Sequence, residues 1–296
     1  MYRKEVNERS PMRVFEKSIH GGLGRGNVGV VLSRAGVGKT ALLVQIALDD
    51  LLRDRRVLHI STEHAVDHVR AYYDELFHDL AQYTKLAEPE SVRLDVERHR
   101  LIFSLLGHAP TSEGTSTSLK KLIDTVAFAR DVAHFSPDVI VIDGFDFAHA
   151  SEAMIDTLAT LARDHSAELW LSTTTKTAQV EPGVAPAPID RFFDKLGVVV
   201  YLESEKDVVR LRLLKDTTTR IWPRSPCVSI RTRCASSTKT CSRRPSVVAM
   251  PSVSDCTPVV PKVPKQPSVL ARNVGVWPST TIRSRGTRSA NVNAAC

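Results

Sequence analysis

The chain has 296 residues, with 40 Lys/Arg against 33 Asp/Glu and a net charge of +7. That charge is unevenly spread: residues 217–296 hold 13 of the basic residues and a single acid, Asp255, so residues 1–216 carry 27 basic against 32 acidic side chains and are mildly acidic. The basic balance therefore gives no reason to expect nucleic acid on the first 216 residues, and nucleic acid is not favoured as a partner.

The first strong element is the apolar run Val28-Gly29-Val30-Val31-Leu32, which reads as a buried strand. Ser33-Arg34-Ala35-Gly36-Val37-Gly38-Lys39-Thr40 follows as a small-residue loop, and a helix opening at Ala41 is predicted over 39–53. Strand, loop and helix in that order make a P-loop. Its amides and helix N-terminus wrap phosphate, its lysine reaches the β/γ oxygens, and its threonine hydroxyl ligates Mg²⁺. The pattern G-x-x-x-x-G-K-[ST] asks for glycine where Ser33 stands, and serine fits there if its φ stays negative. Ser33, Gly36, Val37, Gly38, Lys39, Thr40 and Ala41 are thus the candidate nucleotide-binding residues, for ATP with Mg²⁺.

Downstream, 56–62 reads as a buried strand with Glu63 at its carboxyl end, and a helix is predicted over 65–78. Residues 79–117 look polar and irregular apart from the apolar run Leu101–Leu106. A helix over 118–134, a strand over 138–143, a helix over 152–164 and a strand over 168–173 come next. Two β-rich runs, 196–202 and 207–215, are joined by the charged turn Glu203–Asp207, and Glu181–Pro188 reads as a loop. Apolar strands alternating with helices predict an α/β fold. It has a mostly parallel sheet covered by helices on both faces and a terminal β-hairpin.

Two acids stand where phosphate chemistry needs them. Asp143 closes the strand Val139-Ile140-Val141-Ile142, expected beside the P-loop strand, and could hold Mg²⁺ with Thr40. Glu63 would face the same crevice and could orient or deprotonate water. His64 and His68 share a helical face in a stretch resembling an inverted zinc motif, but no third ligand is indicated and zinc is not favoured. Tyr72, Tyr73, Phe77 and Tyr83 read as core or interface aromatics, and Lys120-Lys121 as a solvated helix face.

From Thr217 onward the composition changes: Glu, His, Phe and Tyr vanish and nine prolines appear. The five cysteines all lie here (Cys227, Cys234, Cys241, Cys256, Cys296), in spacings that fit no zinc site and a number that fits no disulfide framework. Residues 217–296 read as a basic disordered tail or as out-of-frame sequence that contributes little to a domain of 1–216. No leader segment opens the chain and no apolar run reaches the ~18 residues of a membrane span, so a cytoplasmic location and no membrane partner are expected.

Together Gly21-Gly22-Leu23-x-x-Gly26, Gly36–Ala47 and Val57-Leu58-x-Ile60-Ser61-Thr62-Glu63 resemble the RecA superfamily, its KaiC-like and RadA-like branches above all. The resemblance implies a RecA-like ATPase core with Glu63 as catalytic glutamate, Asp143 as Walker B acid and Thr173 near the γ-phosphate. It also implies a homo-oligomer with ATP between subunits and a Lys-x-Arg finger from the last hairpin. Lys215 falls at the finger's lysine, but Asp216 and Thr217 follow and the arginine is missing. The expected function is an ATP-hydrolysing regulatory switch. The alternatives are a RadA-like DNA repair ATPase and a nucleotide-binding interaction protein with little hydrolysis.

Overall fold

The computed structural model describes residues 1–8, 10, 12–106, 115–177, 180, 184–205 and 208–217, and the backbone of 227–232 and 248–249. Helices α1 (Arg3–Glu8) and α2 (Met12–Ser18) precede strand β1 (Val28–Ser33), and helix α3 (Lys39–Leu51) leads to β2 (Val57–Ser61). Helices α4 (Val66–Thr84) and α5 (Pro89–Arg98), strand β3 (Arg100–Ser104) and helix α6 (Thr115–Asp131) follow. Next come β4 (Val139–Asp143), α7 (Glu152–Asp164), β5 (Glu168–Thr174), a 3₁₀ turn at Asp190–Lys195, and β6 (Val198–Glu205) with β7 (Val208–Lys215). Strands β8 (Cys227–Thr232) and β9 (Val248–Ala249) end the series.

All strands join one sheet in the order β3-β2-β4-β5-β1-β6-β7-β8-β9. The first six run parallel, and β7 turns back antiparallel on β6 as the expected hairpin. Strands β1, β2 and β4 are buried along their whole length, as continuous apolar runs require in a parallel sheet covered on both sides. Side-chain alternation sorts them. Val31, Val57, Val139, Val141 and Trp170 pack under α2–α5, while Leu32, Ile60, Ile142 and Leu171 pack under α6, α7 and the 3₁₀ turn.

Helix α3 is apolar nearly all round, with Leu42, Leu43, Val44, Ile46, Ala47 and Leu48 buried, because it lies between the sheet and the neighbouring helices α2 and α4. Gly29 is required by packing: a Cβ there would stand 2.6 Å from the ring of Trp170, which lies across β1. Ser151 starts α7 by accepting the Met154 N–H (3.3 Å).

Several sequence readings need correction. Residues 79–106 are not irregular: α4 runs on to Thr84, α5 opens at Pro89, and the apolar run from Leu101 lies in strand β3 at the sheet edge. Proline at the first helical position is a start signal outweighed, in the sequence, by the charged surface of α5, of which only Val92 and Val96 are buried. Helices α1 and α2 were not anticipated either; they are short and gain their order from docking Val6, Met12 and Phe15 into the core. Within the segment read as a tail, the backbone of β8 pairs with β7 and that of β9 with β8. The remaining residues beyond 217, and residues 181–183 and 206–207 of the two expected loops, lie outside the described residues.

Candidate nucleotide site

The loop between β1 and α3 is left-handed at Gly36 (φ +76°) and Gly38 (φ +114°). Neither glycine has a neighbour that a Cβ would strike, so backbone conformation alone requires them. Ser33 keeps a negative φ, the condition under which serine fits, and its hydroxyl donates to the Arg34 carbonyl (2.7 Å). Gly38 is the N-cap of α3 and brings no side-chain acceptor, which leaves the amides of the first turn for an incoming anion. Lys39 and Thr40 are both buried, at 7% and 8% exposure.

The site lies at the carboxyl ends of the parallel strands, where connections depart in opposite directions. From β1 the chain crosses to β2 on one side, and from β5 it crosses to β6 on the other. Such a reversal opens a crevice at the strand ends. Asp143 reaches it from one strand further away than expected: β4 is not beside β1, because β5 stands between them. The parity of β4 still aims Asp143 toward α3, on the face of Val139 and Val141.

Asp143 is fully buried and is held on both oxygens. The Thr40 hydroxyl donates to Oδ2 (2.7 Å) and the Ser172 hydroxyl donates to Oδ1 (2.6 Å). Ser172 in turn accepts the Gly144 N–H (2.9 Å). The Thr62 amide donates to the Asp143 carbonyl (2.9 Å), and the Thr62 hydroxyl donates to the Gly144 carbonyl (2.7 Å). Two residues later the His64 amide donates to the Ser61 hydroxyl (2.9 Å), so the turn that carries Glu63 is fixed on both sides. Glu63 itself is exposed and lies over Gly144, where a Cβ would stand 2.5 Å from its Cγ. Gly144 has φ +95° and leaves room for that side chain.

Thr40, Asp143 and Glu63 are therefore brought together. Thr173 is not on the same face: it pairs with Leu32, and alternation turns it away from Ser172 and the loop. The residue of β5 that touches the acid is Ser172, which the sequence reading missed. Its signal was a hydroxyl directly after the apolar run Leu169-Trp170-Leu171, at the parity of Trp170 on the α3 face, but three threonines follow it and masked it. Lys215 pairs with Val199 near the start of β6, at the end of the strands opposite the loop, and its ammonium donates to the carbonyls of Phe193 (2.6 Å) and Asp194 (3.1 Å).

Beneath the site, His59 is fully buried and its Nδ1 lies 3.1 Å from the Tyr73 hydroxyl, while Nε2 has no partner. Burial pushes the imidazole down to about 4, against the pull of Asp143, and the Tyr73 hydroxyl is pushed up, also by burial. The rings of His64 and His68 stack face to face with centroids 4.7 Å apart, and are not splayed around a common point.

At the opposite, amino-terminal end of the strands, Arg13 and Arg53 clasp Asp49, and Arg55 bridges Asp50 (2.8 Å) and Glu168 (2.9 Å). No family model matches the chain, and no curated protein matches it. Among the described residues no helix is long and apolar enough to cross a membrane.

Proposed function

We propose that this chain is a RecA-like P-loop protein that binds ATP with Mg²⁺ and hydrolyses it, acting as a nucleotide-dependent regulatory switch. The observation that carries the reading is the bond from Thr40 to Asp143, which joins two residues 103 apart in sequence at the mouth of a glycine loop. A hydroxyl and a carboxylate, both buried, are the hard oxygen donors that Mg²⁺ takes alongside phosphate. Bound there, the ion would neutralise charge on the β and γ phosphates. Thr40 and Asp143 would hold it, the loop amides and the Lys39 ammonium would cradle the phosphate oxygens, and Glu63 would orient and deprotonate the attacking water.

Removal of the Lys39 ammonium tests the reading. Its charge-assisted contacts are worth about 1.5–3 kcal/mol each, so Lys39→Ala should weaken ATP·Mg²⁺ binding about tenfold or more in calorimetry. Equal affinity in wild type and variant would exclude the loop as the nucleotide site.

A second reading, a nucleotide-binding interaction protein with little hydrolysis, draws support from Lys215. Its ammonium is buried and bound to carbonyls of its own chain, which holds it back from a neighbouring site. Turnover per site that does not rise with protein concentration would favour this reading over a cooperative ATPase.

A further inference from the structure

We propose that Ser172 is a positioning residue: it fixes the plane of the Asp143 carboxylate and locks it to the turn beneath Glu63. The proposal rests on the nucleotide reading above and names a residue that neither the loop motif nor the acid motif contains.

A carboxylate turns easily, because the torsion that sets its plane has broad minima. Asp143 is denied that freedom by donors on different oxygens, Thr40 on Oδ2 and Ser172 on Oδ1. A serine hydroxyl has one proton and two lone pairs, so its direction is set by what it accepts. Here the Gly144 N–H donates into Ser172 Oγ, which leaves the serine proton to point at Asp143. The backbone adds a further tie, since the Ser172 carbonyl accepts the Phe145 N–H (2.8 Å). Ser172 thus holds three consecutive residues, from 143 to 145.

The same bonds reach the candidate base. Gly144 receives the Thr62 hydroxyl on its carbonyl, and the Glu63 side chain lies against its Cα. A shift of the 143–145 turn would therefore move both the acid that holds the ion and the glutamate that faces water. A buried serine between Leu171 and Thr173 in a strand needs a hydrogen-bond partner, but many partners would serve stability alone. The bonds from Oγ into the acid and from Gly144 into Oγ are what tie it to the metal.

The test is the Mg²⁺ dependence of binding by the full chain, read with a fluorescent ATP analogue at fixed concentration while Mg²⁺ is titrated. Nucleotide binding in chelator and thermal melting are measured alongside. Ser172→Ala should raise the Mg²⁺ midpoint about tenfold, the worth of one hydrogen bond to a charged group. Ser172→Thr, which keeps the hydroxyl, should restore the wild-type midpoint. Should the alanine variant fail to melt cooperatively, Ser172→Cys, similar in size but a weak donor, must show the shift in its place. An unchanged midpoint in the donor-deficient variant, or an equal shift in the threonine variant, overturns the role of Ser172 and leaves the nucleotide reading standing. A wild-type chain that binds no nucleotide under either condition overturns both.

Discussion

His59 is held uncharged one layer below the site, and this makes it a reporter of the fold. An imidazole whose value falls from 6.5 to about 4 on folding refuses a proton that the unfolded chain accepts. Its contribution to stability is therefore intact above pH 6.5, declines as pH falls toward 4, and is flat below. At 1.36 kcal/mol per unit, the full loss comes to about 3 kcal/mol. Chemical denaturation at pH 7 and pH 4.5 should show a drop in wild type that is smaller in His59→Gln. Parallel losses in the two proteins would mean that other groups set the acid limb. Glu63 makes a different prediction. Glu63→Gln keeps size and hydrogen bonding but removes the base, so ATP should bind as before while hydrolysis falls roughly 10²–10⁴-fold. Equal turnover above background would take Glu63 out of the chemistry.

The elements carry the site through two glycines that face large side chains. Gly144 combines φ +95° with a seat in which an added Cβ would stand 2.5 Å from both Glu63 and Thr62, so Gly144→Ala is strained in its backbone and expels the glutamate from its seat. Hydrolysis should fall while nucleotide binding in chelator, which rests on the loop and not on the ion, stays near wild type. Equal loss of chelator binding and turnover would show that the variant disturbs the loop itself. Gly29→Ala acts on the core instead, driving a methyl into the Trp170 ring. Overpacking of this kind costs typically 1–3 kcal/mol, which thermal melting would read.

These contacts also mark what was legible in the sequence. Strands β1, β2, β4 and β5 announce themselves as apolar runs, and Gly36, Gly38, Lys39 and Thr40 by type and spacing, because local physics dictates both. Helix α5 and the sheet-edge strand β3 are only half buried, so their patterns were faint. Strand order is a long-range property. The interposition of β5 between β1 and β4, the turn of Thr173 to the far face, and the bonds of Ser172 all follow from it, and no local pattern encodes them. The place of Lys215 is likewise non-local: the antiparallel return of β7 sets it beside Val199 near the start of β6.

For the whole molecule the decisive comparison is between the site and the carboxyl-terminal third of the sheet. The described residues assigned to the nucleotide lie on β1, β2, β4, β5, the turns that follow them and the first turn of α3, and all of them precede Lys215. Strand β7 nonetheless has a neighbour on each side, β6 and the backbone of β8, with Leu211 and Leu213 buried toward the core. A chain ending at Thr217 would bare the β7 edge, a row of unpaired amides and carbonyls that invites pairing with another chain. It would also shed +12 of charge, leaving the acidic remainder of residues 1–216. The truncated chain should bind ATP·Mg²⁺ within about twofold of the full chain, since binding energy resides in the retained contacts. Its melting point should fall, by about 2–4 °C for each kcal/mol of lost pairing in a domain of this size, and it should associate with rising concentration. A second truncation after Asp255, which keeps β8 and β9, should restore both properties. Identical melting and association in the two truncations would show that β8 adds nothing to the sheet, and loss of nucleotide binding in the shorter chain alone would place part of the site beyond residue 217.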